Sequence, residues 1–148
     1  MRTTDQVRRS GVGIEPDRTV SEAASLMEHA GVGALAVVDG ERLVGIVTDR
    51  DLVRRAMAKG LAPDARIDGV MSSPVVTIDA DAELHDAFAL FRTHAVRRLA
   101  VVSGSRFVGM ITVDDLLIDL AADLADLARP VSSEVHFAQR DSAVPATT

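Results

Sequence analysis

GIVTDRDL, residues 45–52, returns 64 positions later as GMITVDDL, residues 109–116. Both copies read glycine, two apolar residues, threonine, two variable residues and aspartate, so Gly45, Thr48 and Asp51 answer to Gly109, Thr112 and Asp115. Sliding the chain against itself by that interval aligns residues 14–52 with 78–116 without a gap, and 16 of the 39 pairs are identical. Ungapped identity at that level marks an internal repeat. Two copies make a pseudo-symmetric pair, whereas a solenoid takes three or more units.

Each copy has the same order of elements. A short extended piece (Val12 to Ile14; Val75 to Ile78) leads into a helix, with apolar residues at helical spacing: Val20, Ala23, Ala24 and Met27 in the first copy, Leu84, Ala87, Phe88 and Phe91 in the second. Thr19 followed by Glu22 is a capping box, and Gly31 is a stop signal. Two β-rich runs follow around Asp39-Gly40, a turn pair suited to a tight hairpin, with Ser103-Gly104 at that place in the second copy. A second helix carries Leu52, Val53, Ala56 and Met57, or Leu116, Leu117, Leu120 and Leu124. The pattern is β-α-β-β-α, a half-sandwich with helices on one face of its sheet. One such unit of roughly 55 residues is marginal alone, and packing two sheet to sheet solves the problem. The expected class is α/β (α+β). A first unit covers 1–60, a Gly-, Pro- and Ser-containing linker 61–73, a second unit 74–129, and a polar, partly disordered tail 130–148.

Composition narrows the function classes. With 148 residues, 47% hydrophobic and only 3% aromatic, the chain can bury a core built from aliphatic side chains. The formal net charge of −6 argues against a general electrostatic grip on nucleic acid or an anionic membrane. There is no cysteine, which excludes disulfides, thiol chemistry and thiolate zinc sites. No signal peptide is visible in MRTTDQVRRS and no apolar run approaches a membrane span, so a cytoplasmic location is expected.

The AVVDGERLVGIVTDRDL hairpin-to-helix stretch, the GVMSSPVVTI lead into the second copy and the doubled Gly-x-x-Thr-x-x-Asp heptad resemble a tandem pair of cystathionine β-synthase (CBS) domains, or Bateman module. The resemblance covers roughly residues 1–128 and implies a regulatory sensor without catalytic activity. Such pairs bind adenosine-containing ligands in clefts between the two units: AMP, ADP or ATP, with NAD and S-adenosylmethionine as secondary expectations. They often form face-to-face homodimers. In the family the motif aspartate holds the ribose hydroxyls and the threonine contacts ribose or phosphate, which carries over to Asp51 with Thr48 and to Asp115 with Thr112. The apolar motif residues Ile46, Val47, Met110 and Ile111, and the strand residues Val12 and Val75, are expected to line the clefts. Arg97 and Arg98 stand where the family lines its cleft and often meets phosphate, and Gly33 and Ala34 hold the matching places without charge. The second cleft is therefore the better candidate for a phosphorylated ligand, guanidinium groups being suited to phosphate. The chain departs from the family pattern at Ala36 and Ala100, where proline is common.

The residues alone leave two readings open. Thr48 and Thr112 end a strand where a helix begins, and free N–H groups there favour anions, while a carboxylate one turn in suits a vicinal diol. Thr-x-x-Asp is equally a helix cap, with the acid reaching back to the cap N–H. Three functions follow: an adenine-nucleotide energy sensor, a ligand-free interaction or dimerisation scaffold, and, disfavoured by the acidic balance, a nucleic-acid-binding regulator using Arg8, Arg9, Arg54 and Arg55. His29, His85, His94 and His136 lack ligand-like spacing, so no metal site is expected. GVGIEP and GVGALA lack the third glycine of a dinucleotide fingerprint. Leu116, Leu117, Leu120, Leu124 and Leu127 read as core or dimer interface.

Overall fold

The computed structural model describes residues 3–141, with side chains described for 3–6 and 8–129. In chain order the elements are α1 Thr4–Val7, β1 Gly13–Ile14, α2 Val20–Ala30, β2 Ala34–Asp39, β3 Arg42–Thr48 and α3 Asp49–Asp51, which continues as a π-helix over Leu52–Met57. A 3₁₀ turn at Ile67–Gly69 follows, then β4 Thr77–Asp79, α4 Leu84–His94, β5 Arg98–Ser103, β6 Arg106–Thr112 and α5 Val113–Asp141. The chain to Val113 forms one unit, and the residues from Asp114 onward form a second.

Local chemistry sets the element ends. The Glu22 N–H donates to Thr19 Oγ1 at 3.0 Å and the Thr19 N–H donates to Glu22 Oε1 at 3.2 Å, closing the expected capping box of α2. Gly31 ends that helix in the left-handed region at φ 67°. The matching place after α4 is Ala95, which takes φ 51° although a Cβ disfavours it. In the hairpins Asp39 pairs with Arg42 and Ser103 with Arg106. The central turn residues are therefore Gly40-Glu41 and Gly104-Ser105, one position on from the expected pairs. Gly40 at φ 66° and Gly104 at φ 65° supply the left-handed residue a two-residue loop needs.

The six strands form one sheet in the order β1-β2-β3-β6-β5-β4. Each half is a hairpin flanked by a parallel strand, and the halves join where Arg42 lies opposite Arg106. Alternation along β3 and β6 buries Val47 and Ile111 and leaves Ile46 and Met110 half-exposed. The first half's core gathers Ile14, Ala23, Met27, Leu35, Val37, Val47, Ala56, Ile67 and Val70. Ile67 and Val70, 0% and 1% exposed, come from the segment that reads as a linker in sequence. Ile78, Leu84, Ala87, Leu99, Val101 and Ile111 are buried in the second half.

The segment before each repeat packs on the other repeat. Residues 66–72 precede the second copy yet bond to the first: the Ile67 N–H donates to the Arg18 carbonyl at 2.9 Å, and Ile46 and Ser72 exchange bonds of 3.1 and 2.8 Å. Residues 3–9 precede the first copy yet bond to the second: the Thr4 N–H donates to the Ala82 carbonyl at 2.8 Å, and Arg9 and Met110 exchange bonds of 2.9 and 3.0 Å. Thr4 is fully buried, and its hydroxyl donates to the carbonyls of Asp79 at 2.6 Å and Ala80 at 3.0 Å. These two straps are pseudo-equivalent, so the symmetry extends beyond the identical residues.

In the second unit, α5 buries Asp115 and Leu116 and exposes Leu117, Ile118, Leu120, Leu124 and Leu127. The helix passes Pro130 and runs to Asp141, so 130–141 is helical where the sequence suggested a polar tail. The last part of that tail, 142–148, lies outside the described residues.

Candidate functional site

The motif glycines have a structural task. A Cβ on Gly45 would collide with Met71 Sδ and lie 3.1 Å from the Ser72 carbonyl oxygen. One on Gly109 would lie 2.5 Å from the Arg9 carbonyl oxygen. Each glycine thus lets a strap cross a strand at backbone contact, three residues before the motif threonine. The crossing places main chain beside Ile46 and beside Met110, two of the residues expected to line a cleft.

At the first motif, Thr48 and Asp51 close a capping box: the Thr48 N–H donates to Asp51 Oδ2 at 2.9 Å and the Asp51 N–H donates to Thr48 Oγ1 at 3.1 Å. The other carboxylate oxygen, Oδ1, is 3.8 Å from Arg55 Nε, and the Asp51 side chain is 15% exposed. The same Arg55 donates to the carbonyls of Val70 at 3.3 Å and Met71 at 3.2 Å. Arg55 therefore ties the motif aspartate to the strap over Gly45. A carboxylate offers about four acceptor positions, so the cap leaves Asp51 with capacity for a further donor.

The candidate residues of the first half converge in part. Ala34 pairs with Thr48 and Ala36 with Ile46 across the hairpin. Val12 joins this row, its carbonyl accepting from the Ala36 N–H at 2.9 Å. The Gly33 carbonyl accepts from the Asp49 N–H at 2.9 Å, fixing the strand–helix junction. An ideal Cβ at Gly33 would lie 3.2 Å from Asp49 Oδ2 and 3.6 Å from Arg98 Nη2. An arginine of the second repeat thus reaches the first repeat's motif, and that arginine is Arg98. Asp49, which the sequence reading did not single out, stands beside it. Its only signal in sequence was its place directly after the motif threonine.

The second half repeats the row. Arg98 pairs with Thr112, Leu99 with Ile111 and Ala100 with Met110. The Arg97 carbonyl accepts from the Val113 N–H at 3.0 Å, the counterpart of Gly33 and Asp49. Arg97 and Arg98 are both exposed. The counterpart of Val12 is Val76, whose carbonyl accepts from the Ala100 N–H at 3.3 Å. Val75, one residue earlier, instead lines a separate cleft of about 380 Å³ with Arg42, Ser73 and Ser105. Asp115 lies in the first turn of α5 and is buried. Val47 and Ile111 are core, so only their main chain can meet a ligand. Among the described residues, no group of three His, Asp or Glu side chains is placed to hold a metal ion. No helix among them is long and apolar enough to cross a membrane.

Two β-α-β-β-α halves, each ending a hairpin strand in Gly-x-x-Thr-x-x-Asp at a helix start, define a pseudo-symmetric two-repeat module. The chain belongs to the CBS domain family, whose model matches residues 7–58 and again 67–122. It is 37% identical over 106 residues to the CBS domain-containing protein YhcV of Bacillus subtilis, covering 72% of this chain and 76% of that protein. Among solved structures it resembles Hypoxic Response Protein I with two coordinated zinc ions, at TM-score 0.72 and 32% identity, over 80% of this chain and 99% of that one. It also resembles the CBS domain protein PAE2072 from Pyrobaculum aerophilum complexed with AMP, at TM-score 0.71 and 26% identity, over 82% of this chain and 99% of that one.

Proposed function

We propose that this chain is a regulatory sensor, without catalytic activity of its own, that binds an adenosine-containing nucleotide of the AMP, ADP or ATP type at its two motifs and signals as a homodimer or through a partner protein. The observation that carries the reading is the doubled motif at a strand–helix junction, in a fold shared with a relative solved with AMP. Asp51 and Asp115 accept the ribose hydroxyls, and Thr48 and Thr112 take ribose or phosphate. The exposed guanidiniums of Arg97 and Arg98 meet phosphate. Arg98, set beside Gly33 and Asp49, serves the first motif as well as its own strand. A nucleotide that binds one arrangement of the module more tightly shifts the population toward it, which is all that signalling requires.

The closed Thr48–Asp51 capping box favours a second reading for the first motif, in which these residues only start a helix and the module is an interaction scaffold. Titration calorimetry with AMP, ADP, ATP, NAD and S-adenosylmethionine separates the two. The sensor binds one of them at micromolar affinity, and Asp115→Ala weakens binding more than Asp51→Ala does. A folded protein that binds none of the five is a scaffold.

A further inference from the structure

A cleft of about 380 Å³ opens where the turn of the β5–β6 hairpin meets the start of β3 and the segment that enters β4. Its polar lining is Arg42 with the hydroxyl residues Ser73, Thr77 and Ser105, and no lining residue is acidic. Leu43, Val44, Pro74, Val75 and Val102 supply an apolar wall. The cleft is remote from the motifs: Arg42 starts β3 and Thr48 ends it, about 20 Å away at about 3.3 Å per residue. Among the described residues, no side-chain hydrogen bond or ion pair engages Arg42 or the three hydroxyls. Asp39, across the β2–β3 hairpin from Arg42, lies outside the lining. On its other side Arg42 lies opposite Arg106, and like charges directly opposite repel, so a bound anion relieves the pair.

The pseudo-symmetric place in the other half is closed. There Phe107 stands for Leu43 and Gly11 for Val75. The Phe107 ring packs on Gly11 so closely that an ideal Cβ would lie 2.7 Å from its Cε2. Glu41 stands for Ser105 and Gly13 for Thr77, so two hydroxyls are lost and an acid joins the remaining arginine, Arg106. The crossing segment differs as well. Arg9 and Ser72 are equivalent by their bonds to Met110 and Ile46, and Val12 and Val76 by theirs to Ala36 and Ala100. Between them lie residues 10–11 in one half and 73–75 in the other, one residue more. A smaller wall residue, added hydroxyls and a longer crossing all fall on one side of the repeat, and each opens or polarises the same cleft.

We propose that this cleft binds a small organic carboxylate with a short aliphatic body, at a site separate from the two motifs. A guanidinium meets one carboxylate with two parallel bonds, and hydroxyls donate to the lone pairs left over. The single guanidinium in the lining suits a monoanion, and the wall of Leu43, Val75 and Val102 takes the aliphatic part. The volume stands at the small end of ligand sites, which run from about 300 to 1,000 Å³. Arg42 belongs to the first half, and Thr77 and Ser105 belong to the second, so a bound carboxylate ties the halves together. The site stands whether or not a nucleotide occupies the motifs.

Isovalerate is the probe, in an amide NMR titration. The expected shifts gather at Arg42 to Val44, Ser73, Val75 to Thr77 and Val102 to Ser105. They saturate with a dissociation constant of about 1 mM, as a ligand this small allows. Isoamyl alcohol, with the same body and no charge, binds at least about tenfold more weakly, and so does isovalerate to Arg42→Gln. Leu43→Phe/Val75→Gly copies the plug of the closed half and abolishes the shifts, with folding checked by circular dichroism. Where that variant fails to fold, Arg42→Gln alone decides. Equal binding of the alcohol, or unchanged affinity in Arg42→Gln, means apolar contact alone and overturns the proposal. Inorganic phosphate binding at the same amides as tightly as isovalerate means a bare anion site and overturns it too. So do shifts that never saturate. Shifts at Thr48 to Asp51 or Thr112 to Asp115 instead, reversed by AMP, place the carboxylate in the motifs. That result overturns the separate site and leaves the nucleotide reading intact.

Discussion

Gly45→Ala and Gly109→Ala are the same change at equivalent places, yet they should differ in kind. On Gly109 the new methyl would sit 2.5 Å from the Arg9 carbonyl oxygen and 2.7 Å from Arg8 Cδ. A carbon–oxygen contact needs about 3.3 Å, so the Arg9 main chain must retreat by roughly 0.8 Å. That breaks both Arg9–Met110 bonds, of 2.9 and 3.0 Å. Two hydrogen bonds at about 1 kcal/mol each, less about 0.5–1 kcal/mol from removing a glycine from the unfolded chain, give a net loss of roughly 1–1.5 kcal/mol. The retreat is feasible because Thr4 is the only fully buried side chain described in this strap. On Gly45 the methyl meets Met71 and the Ser72 carbonyl, but this strap is pinned by Ile67 and Val70 in the core. Releasing either costs about 1.5–3 kcal/mol, so the strap stays and the overpacking strain is absorbed in place, for a loss of roughly 2–4 kcal/mol. With no Trp or Tyr in the chain, urea unfolding is followed by far-ultraviolet circular dichroism. Trypsin, which cuts after Arg8 and Arg9, reports strap release. Gly45→Ala should lose the larger global stability, and Gly109→Ala should be cut faster at the strap. A Gly109→Ala protein as resistant to trypsin as the parent, or less stable than Gly45→Ala, would refute the strap assignment.

Further outcomes follow from single residues. Ala95 holds a left-handed conformation at φ 51°, so Ala95→Gly should stabilise by about 1 kcal/mol in the same urea assay, while Gly31→Ala, at φ 67°, should cost about 1–2 kcal/mol. Thr19→Ala removes the α2 cap and should cost about 1 kcal/mol. The Arg18 side chain, with the Thr19 N–H second, holds the Glu22 carboxyl below its ordinary range. A carboxyl with a lowered folded pKa adds stability that is present above the ordinary glutamate range and is lost as pH falls through the lowered value. Glu22→Gln should therefore flatten the acid side of the stability profile, and an unchanged profile would remove Glu22 from the acid response.

The α2 capping box and the Gly31 stop were legible because they depend on neighbours within four residues, and the repeat with its β-α-β-β-α order because its two copies align without a gap. What crosses Gly45 and Gly109 was not legible. The partners are Ser72 and Arg9, far along the chain, and nothing local says that the segment before one repeat packs on the other. The same blindness made 61–73 read as a linker, although Ile67 and Val70 complete the first core. Ala95 in a glycine conformation shows tertiary context overriding propensity, since the helix must turn there to launch β5 as it does after Gly31. The π-helix at Leu52–Met57 has no counterpart in α5, a difference the matched Asp51-Leu52 and Asp115-Leu116 do not foretell. At the site, spacing picked out Thr48 and Asp51 correctly as interacting residues, but only coordinates show Asp51 shared between a cap and Arg55. Only coordinates, likewise, show Arg98 beside Gly33.

The central claim is that an adenosine nucleotide occupies the doubled motif, and an amide NMR titration with AMP tests it most directly. Shifts concentrated at the amides of Gly33, Thr48 to Asp51, Arg97, Arg98 and Thr112 to Asp115, saturating at micromolar AMP and suppressed by Asp115→Ala, are the expected result. Shifts scattered over the surface without saturation, or none while the protein stays folded, would leave both motifs as helix caps and contradict the nucleotide-sensor assignment.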